Sequence, residues 1–133
     1  MTTTTQLVPD IYGFQKTVTA NVRSFYTTPR IAHNFDIVSA RCAYPPNAQR
    51  LLKVRFWVVA YSTLADDSQP IGIPLITNVG DDFIVGDDNN FEFRIGRRNM
   101  PGGMYIMVDA ENTDASATHT LDCAVTVLEK FDG

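Results

Sequence analysis

Through much of this chain, apolar residues occupy every second position and mostly polar residues lie between them. Between Leu51 and Tyr61, one set of alternate positions is wholly apolar, and it consists of Leu52, Val54, Phe56, Val58 and Ala60. The other set begins with charged residues and ends with aromatic and apolar ones: Lys53, Arg55, Trp57, Val59 and Tyr61. A period of two residues is the pattern of a β-strand that presents one face to a core.

The same period recurs along the sequence and predicts further strands, at Gln15–Arg23, Asn34–Ala43, Ile73–Val79, Asp82–Val85, Phe91–Ile95, Met104–Glu111 and His119–Phe131. The last segment also fits the spacing of an amphipathic helix, but its β-branched residues favour a strand. Short strands separated by Pro, Gly, Asp and Asn turns predict an all-β fold, an antiparallel β-sandwich or jelly roll of about eight strands in a single domain.

The chain has 133 residues, which is enough for one hydrophobic core and too few for a two-domain enzyme. We expect a β-sandwich domain at 15–133, preceded by an extended arm at 1–14. The arm begins with Thr2, Thr3, Thr4 and Thr5, whose β propensity suits a strand lying on the sheet edge of a neighbouring subunit. Its first ten residues lack a basic start and an apolar segment, so we expect no secretory signal.

Charge and motifs exclude several functions. Lys and Arg number 11 against 15 Asp and Glu, giving a net charge of −4, which argues against nucleic-acid binding. The longest uninterrupted apolar stretch, Phe56–Tyr61, is far too short to span a membrane. The sequence holds no Gly-x-Ser-x-Gly and no phosphate-binding glycine loop, and His33 and His119 lack the spacing of a catalytic or zinc site. We therefore expect no enzyme activity, no cofactor and no metal.

Three features leave alternatives open. Acidic and amide residues form two groups that could hold calcium or simply form solvated turns, at 81–90 and at 109–114. Cys42 and Cys123 lie within apolar alternating segments, either as small buried hydrophobes or as a disulfide. Arg94, Arg97 and Arg98 are interpreted as partners for the Asp-rich turns, within the fold or on an adjoining subunit, or as a solvated face.

A single buried sheet face does not account for all the large apolar residues. Trp57, Tyr61, Tyr105 and Met107 fall on strand faces opposite the regular apolar faces. Either loops of the same chain cover them, or they are the aromatic anchors of an oligomer interface.

An acidic, all-β chain with a Thr-rich start, no catalytic motif and strand faces that are apolar on both sides resembles the small decoration or cement proteins of tailed-phage heads. The resemblance extends over the whole chain in its general organisation. It implies a dimer or trimer within the virion, assembled in the host cytoplasm, that bridges joints between capsid proteins. The arm Met1–Pro9 would clasp the shell, through Thr2, Thr3, Thr4, Thr5, Leu7 and Val8, and the subunit contacts would be Trp57, Tyr61 and Tyr105.

An alternative function is a carbohydrate-binding, lectin-like sandwich. It would need an exposed aromatic platform, which Trp57 or Tyr61 could offer, and Asp and Asn side chains on adjacent loops. A small β-sandwich hydrolase is a third possibility, which a carboxyl of strongly raised pKa in a pocket would reveal.

Overall fold

The structure is a computed structural model that describes residues 5–45, 51–60, 72–75, 85 and 90–132. These ranges contain eight strands and no helix, as predicted for an all-β sandwich. The strands are β1 Thr5–Val18, β2 Arg23–Thr27, β3 Phe35–Ala43, β4 Leu52–Val59, β5 Gly72–Pro74, β6 Asn90–Met100, β7 Tyr105–Asn112 and β8 His119–Asp132. Because the described ranges contain no helix, no helical segment within them could cross a membrane.

The strands form two four-stranded antiparallel sheets. Sheet I has the order β1-β8-β3-β6, and sheet II has the order β2-β7-β4-β5. The first strand therefore pairs with the eighth, the second with the seventh, the third with the sixth and the fourth with the fifth. The same pairing results when one long antiparallel ribbon folds so that its successive strand pairs belong alternately to sheet I and sheet II. This arrangement is a jelly roll, the second of the two predicted architectures.

The core lies between the inner faces of the two sheets, as the two-residue period requires. Its members include the predicted apolar positions of β4 and β8, namely Leu52, Val54, Phe56 and Val58 with Leu121, Cys123, Val125 and Val127. β3 contributes Phe35, Ile37, Ala40 and Cys42, and β7 contributes Ile106, Val108 and Ala110. The last predicted position of β4, Ala60, lies beyond the strand and is exposed.

The predicted strand at Gln15–Arg23 is wrong in its extent. Its first four residues end β1 and its last residue begins β2, with a turn between them. Asn21 adopts a positive φ of 58°, a conformation that Asn tolerates and that a continuous strand does not allow. The N–H of Val22 donates to the carbonyl of Thr19, which closes the turn. The chain thereby passes from sheet I to sheet II.

Four other predicted strands have different outcomes. The last segment is a strand, not a helix, since β8 pairs with both β1 and β3. β5 is only three residues long, and most of the predicted strands at 73–79 and 82–85 falls outside the described residues. β6 extends beyond the predicted Ile95 to Met100.

Candidate interaction surfaces

The predicted N-terminal arm is largely an edge strand of the domain itself. β1 pairs with β8 from Thr5 opposite Asp132 to Val18 opposite His119, without a break at position 14. The predicted contact residues Leu7 and Val8 are 54% and 40% exposed, whereas Thr2, Thr3 and Thr4 lie outside the described residues. Thr5 begins β1. Ile11, which the predicted site omitted, is 66% exposed, and its alternation with Leu7 and Pro9 on one strand face is the signal that identifies it.

A groove of about 400 Å³ crosses the outer face of sheet I. We call it the sheet I groove; residues of all four strands line it: Leu7, Asp36, Ile37, Val38, Arg94, Gly96, Arg97, Arg98 and Leu128. Leu7 and Leu128 supply apolar surface at one end, and the three arginines of β6 are exposed at the other. The groove therefore joins the strand of the predicted arm to the basic cluster noted in the sequence.

Two β-bulges in β6 bring these arginines to the same groove. Between the pairs Ser39–Arg94 and Ile37–Arg97, β6 advances three residues while β3 advances two. The same excess recurs between Ile37–Arg97 and Phe35–Met100. A positive φ accompanies each bulge, 66° at Gly96 and 60° at Asn99. Because an extra residue shifts the two-residue alternation, arginines at even and odd positions can lie on one side of the strand.

β3 has a bulge of its own at Val38. β3 advances two residues from Ile37 to Ser39, while β8 advances one, from Val127 to Thr126. The inward positions consequently change from odd to even numbers, so that Ile37 and Ala40 are both buried while Val38 lines the groove. The same bulge thus keeps the core continuous and places an aliphatic side chain outside it.

Asp36 is the only acid among the described residues that line the groove, and neighbouring groups hold its carboxylate in place. The carboxylate of Asp36 accepts a hydrogen bond from the backbone N–H of Asn99 at 2.8 Å and lies 3.1 Å from the ammonium of Lys130. Although burial raises the pKa of Asp36, these two partners and the charge of Arg98 outweigh that effect and lower it below its ordinary value. None of Arg94, Arg97 and Arg98 forms an ion pair with a residue in the described ranges.

The outer face of sheet II has a buried apolar half. Trp57, Val59 and Met107 form a cluster there, with Phe25 and Tyr105 packed against it. Trp57 is 7% exposed, and its indole N–H has no hydrogen-bond partner in the described structure. The single chain therefore buries the predicted contact Trp57 and half-buries Tyr105, while Tyr61 lies outside the described residues. A role for these three in subunit contacts stays a prediction.

The other half of this face is charged and internally paired. Arg23 donates two hydrogen bonds to the fully buried carboxylate of Asp109, at 2.9 and 2.5 Å. Arg55 donates to Glu111 at 3.3 Å. Each pair runs diagonally between neighbouring strands, because Arg23 lies directly opposite Glu111 and Arg55 directly opposite Asp109. Long side chains reach such diagonal neighbours, and opposite charges there stabilise a sheet. Two members of the second calcium candidate are therefore bound to arginines.

The remaining members of that acidic group also have structural partners. The side-chain amide of Asn112 donates to the carbonyls of Val18 and Ala117, which ties the β7–β8 connection to the end of β1. Asp114 accepts hydrogen bonds from the N–H groups of Ser116 and Ala117 and lies 2.9 Å from His119. The N–H of Ser116 is the largest cause that lowers the pKa of Asp114 to about 2. Within the described ranges, no three His, Cys, Asp or Glu side chains are grouped as metal ligands would be.

A second concave site, of about 470 Å³, lies between β1 and β2, the edge strands on one side of the sandwich. Its lining includes four aromatic residues, Tyr12, Phe14, Phe25 and Tyr26. The ammonium of Lys16 lies 5.4 Å from the centre of the Tyr26 ring. Burial and the charges of Glu129 and Asp10 raise the pKa of Tyr12, one of the lining residues, to about 12. We call this site the β1–β2 cleft.

The two cysteines meet in the core. Cys42 and Cys123 are directly opposite each other on β3 and β8, and their sulfurs are 3.3 Å apart as free, buried thiols. The hydrogen bond between them, together with burial, raises the pKa of the Cys123 thiol far above its usual range. They belong to the core, as the apolar setting of both segments predicted.

Comparisons with known proteins give structural matches alone. No family model and no curated protein matches the sequence. A chain from the structure of infectious bursal disease virus, Gt strain, superimposes with a TM-score of 0.44 and 9% identity over 91% of this chain and 32% of its own length. A Gx-strain chain gives 0.40 and 7%, over 96% and 32%. This chain thus spans about a third of those viral chains.

A chain of the capsid asymmetric unit of cyanophage Pam1 also superimposes, with a TM-score of 0.39 and 12% identity. This match covers 96% of the present chain and 86% of the cyanophage chain.

Proposed function

We propose that this chain is a non-enzymatic structural protein of a virus particle, a decoration or cement protein that attaches to the shell through β1 and the outer face of sheet I. The observation that carries the proposal is the exposure of Leu7, Val8 and Ile11 on one edge strand. Apolar side chains clustered on an exposed edge strand favour association with another protein.

The jelly-roll topology limits the functions to be considered for this chain. Jelly rolls serve in viral capsids, in lectins and in cupins. A cupin would place several metal ligands within the sandwich, and the described part of this molecule holds no such group. The clustering of exposed apolar residues on β1 supports attachment to a protein surface rather than recognition of a sugar.

The symmetry of a virus shell explains how a small contact surface on each subunit could hold the protein on the particle. A shell offers many equivalent positions, so a decoration protein that is itself a dimer or trimer engages several at once. Each added contact raises the effective concentration for the next one, which converts modest single-site affinity into stable attachment. We accordingly propose a homo-oligomer. Of its predicted subunit contacts, Tyr105 is only half-buried and stays available to a neighbouring subunit, whereas Trp57 is 7% exposed in the single chain.

The test uses virus particles that lack this chain. The purified protein is mixed with the particles, and the bound fraction is measured after sedimentation, while native mass gives the oligomeric state. Leu7→Ser combined with Ile11→Ser should weaken attachment about tenfold, because apolar area at the contact is lost. Val22→Ser is the matched control, since Val22 is 38% exposed but lies in the β1–β2 turn.

Deletion of residues 2–7 should weaken attachment in the same way and leave the domain folded, because it removes only the first three residue pairs of β1 and β8. Unchanged occupancy after both the deletion and the double substitution would refute attachment through β1.

The β1–β2 cleft supports one second candidate, a carbohydrate-binding module. Tyr12 and Tyr26 offer aromatic faces for a sugar ring, whereas Trp57, the platform expected from the sequence, is buried. A glycan array would decide between the two: binding that Tyr26→Ala abolishes favours the lectin-like function, and loss of that binding with a chelator would add a metal to it. No glycan binding leaves the structural role.

A further inference from the structure

We propose that the sheet I groove binds an acidic, extended segment of a partner protein, whose apolar side chains contact Leu7 and Leu128 and whose carboxylates meet Arg94, Arg97 and Arg98. The inference rests on the proposed attachment function and adds the chemistry of the partner.

Charge complementarity is the first reason. The groove contains three arginines and one carboxylate, and Lys130 already binds that carboxylate. The chain as a whole carries a net charge of −4. An acidic partner is therefore repelled by the molecule in general and attracted at this groove, which fixes the orientation of docking.

The shape of the groove indicates an extended occupant. Its lining runs from β1 to β6 across all four strands of sheet I, a span of about 14 Å at the usual spacing between strands. Leucine and valine side chains lie along this path, so the occupant needs apolar side chains as well as acidic ones. Gly96 contributes no side chain to the groove, and a Cβ there would meet no atom within 4 Å, which leaves room between the arginines.

The two β-bulges of β6 supply an independent reason to regard the sheet I groove as a binding site. A regular strand would turn Arg97 and Arg98 to opposite faces, whereas β6 uses two positive-φ residues, Gly96 and Asn99, to bring both to one groove. Bulges that redirect side chains are frequent beside binding sites. The arginines at the edge also oppose direct strand pairing there, which directs a partner to the face of the sheet.

A nucleic acid would meet a less suitable surface. Single-stranded nucleic acid is held by aromatic side chains that stack on its bases, and the lining of this groove contains none. We therefore favour a polypeptide, and nucleic-acid binding becomes an outcome of the test.

The experiment measures fluorescence anisotropy with a labelled peptide of about eight residues, long enough when extended to cross the sheet, with leucines in one half and glutamates in the other to match the apolar and basic ends of the groove. Arg97→Glu should weaken binding about fivefold, because it replaces attraction with repulsion. Arg30→Glu is the matched control: Arg30 is also exposed but lies outside the groove, and the charge change is the same. Raising NaCl from about 0.05 M to about 0.3 M should weaken binding to the wild-type protein more than to Arg97→Glu.

Several results would overturn the proposal: equal effects of Arg97→Glu and Arg30→Glu, equal binding of a leucine–lysine peptide, tighter binding of oligo-dT, or a native mass that shows self-association lost in Arg97→Glu. A failure of the groove proposal can be distinguished from a failure of the proposed attachment function. If particles still bind the chain through β1 while the peptide results are negative, only the groove inference falls. If the peptide binds as expected and particles do not, only the attachment function falls.

Discussion

The outer faces of sheets I and II contain the same kinds of side chain and differ in what those side chains contact. On sheet II, Trp57 and Met107 are buried, and Asp109 is enclosed with Arg23 as its partner. On sheet I, Leu7 and Ile11 remain exposed, and three arginines have no ion pair with any described residue. Residue type alone therefore does not identify an interface. Burial and pairing within the single chain distinguish the two faces.

The largest expected difference between the faces concerns apolar truncation. Trp57→Ala should lower the free energy of unfolding by about 4 kcal/mol, because it removes a large buried side chain and leaves a cavity. Ile11→Ala should change it by less than about 0.5 kcal/mol, since the side chain is 66% exposed. Urea unfolding measures both values. Equal losses would mean that the outer face of sheet I is as closed as that of sheet II.

The next difference concerns the carboxylates. Asp109→Ala should cost about 3 kcal/mol, because it removes the bidentate acceptor from the half-buried guanidinium of Arg23. Asp36→Ala should cost about 1 kcal/mol, since its pair with Lys130 is partly exposed. A double-mutant cycle with Arg23→Ala isolates the pair on sheet II. A coupling energy near zero would contradict the interpretation of Asp109 as a paired buried charge.

The smallest effect concerns the pH dependence of the sheet I face. Asn99 and Lys130 hold the pKa of Asp36 below its ordinary value despite burial, and Arg98 adds to this. A lowered folded-state pKa means that the carboxylate stabilises the fold above its ordinary pKa of 3.8, and that this contribution is lost as pH falls through the folded-state value.

Arg98→Gln should therefore move the pKa of Asp36 upward, toward its ordinary value, and Arg30→Gln should leave it unchanged. An NMR titration of the Asp36 carboxyl measures the difference. An unchanged pKa in Arg98→Gln would show that the positive field of the groove does not reach its own carboxylate.

The regular strands were predictable because burial imposes a two-residue period on them. β4, β7 and β8 appear in the sequence with their apolar faces correctly assigned. The β1–β2 boundary was missed, because Val18, Ala20 and Val22 keep the alternation while Asn21 takes a positive φ. Alternation records which side chains suit a face, and it does not record where the backbone turns.

The candidate site was only partly predictable. The sequence predicts Leu7 and Val8 as contacts on an extended arm, and the structure places both on an edge strand paired with β8. The arginines were noted, and nothing in their spacing showed that they share a groove with Leu7. The shared groove arises because β1 and β6 belong to one sheet, of which they form the two edges. It also requires the bulges of β6, which redirect the arginines and are defined only by the pairing of β6 with β3.

By itself, the sequence determined the class of the fold and most of the core, because a buried sheet face requires apolar residues at alternate positions. The tertiary structure decided the order of the strands, the burial of Trp57 and the placement of Leu7 in one groove with Arg94, Arg97 and Arg98. Strand order arises from contacts between segments distant along the chain, and exposure depends on what the rest of the molecule places over a residue. Neither quantity has a local signature in the amino-acid sequence.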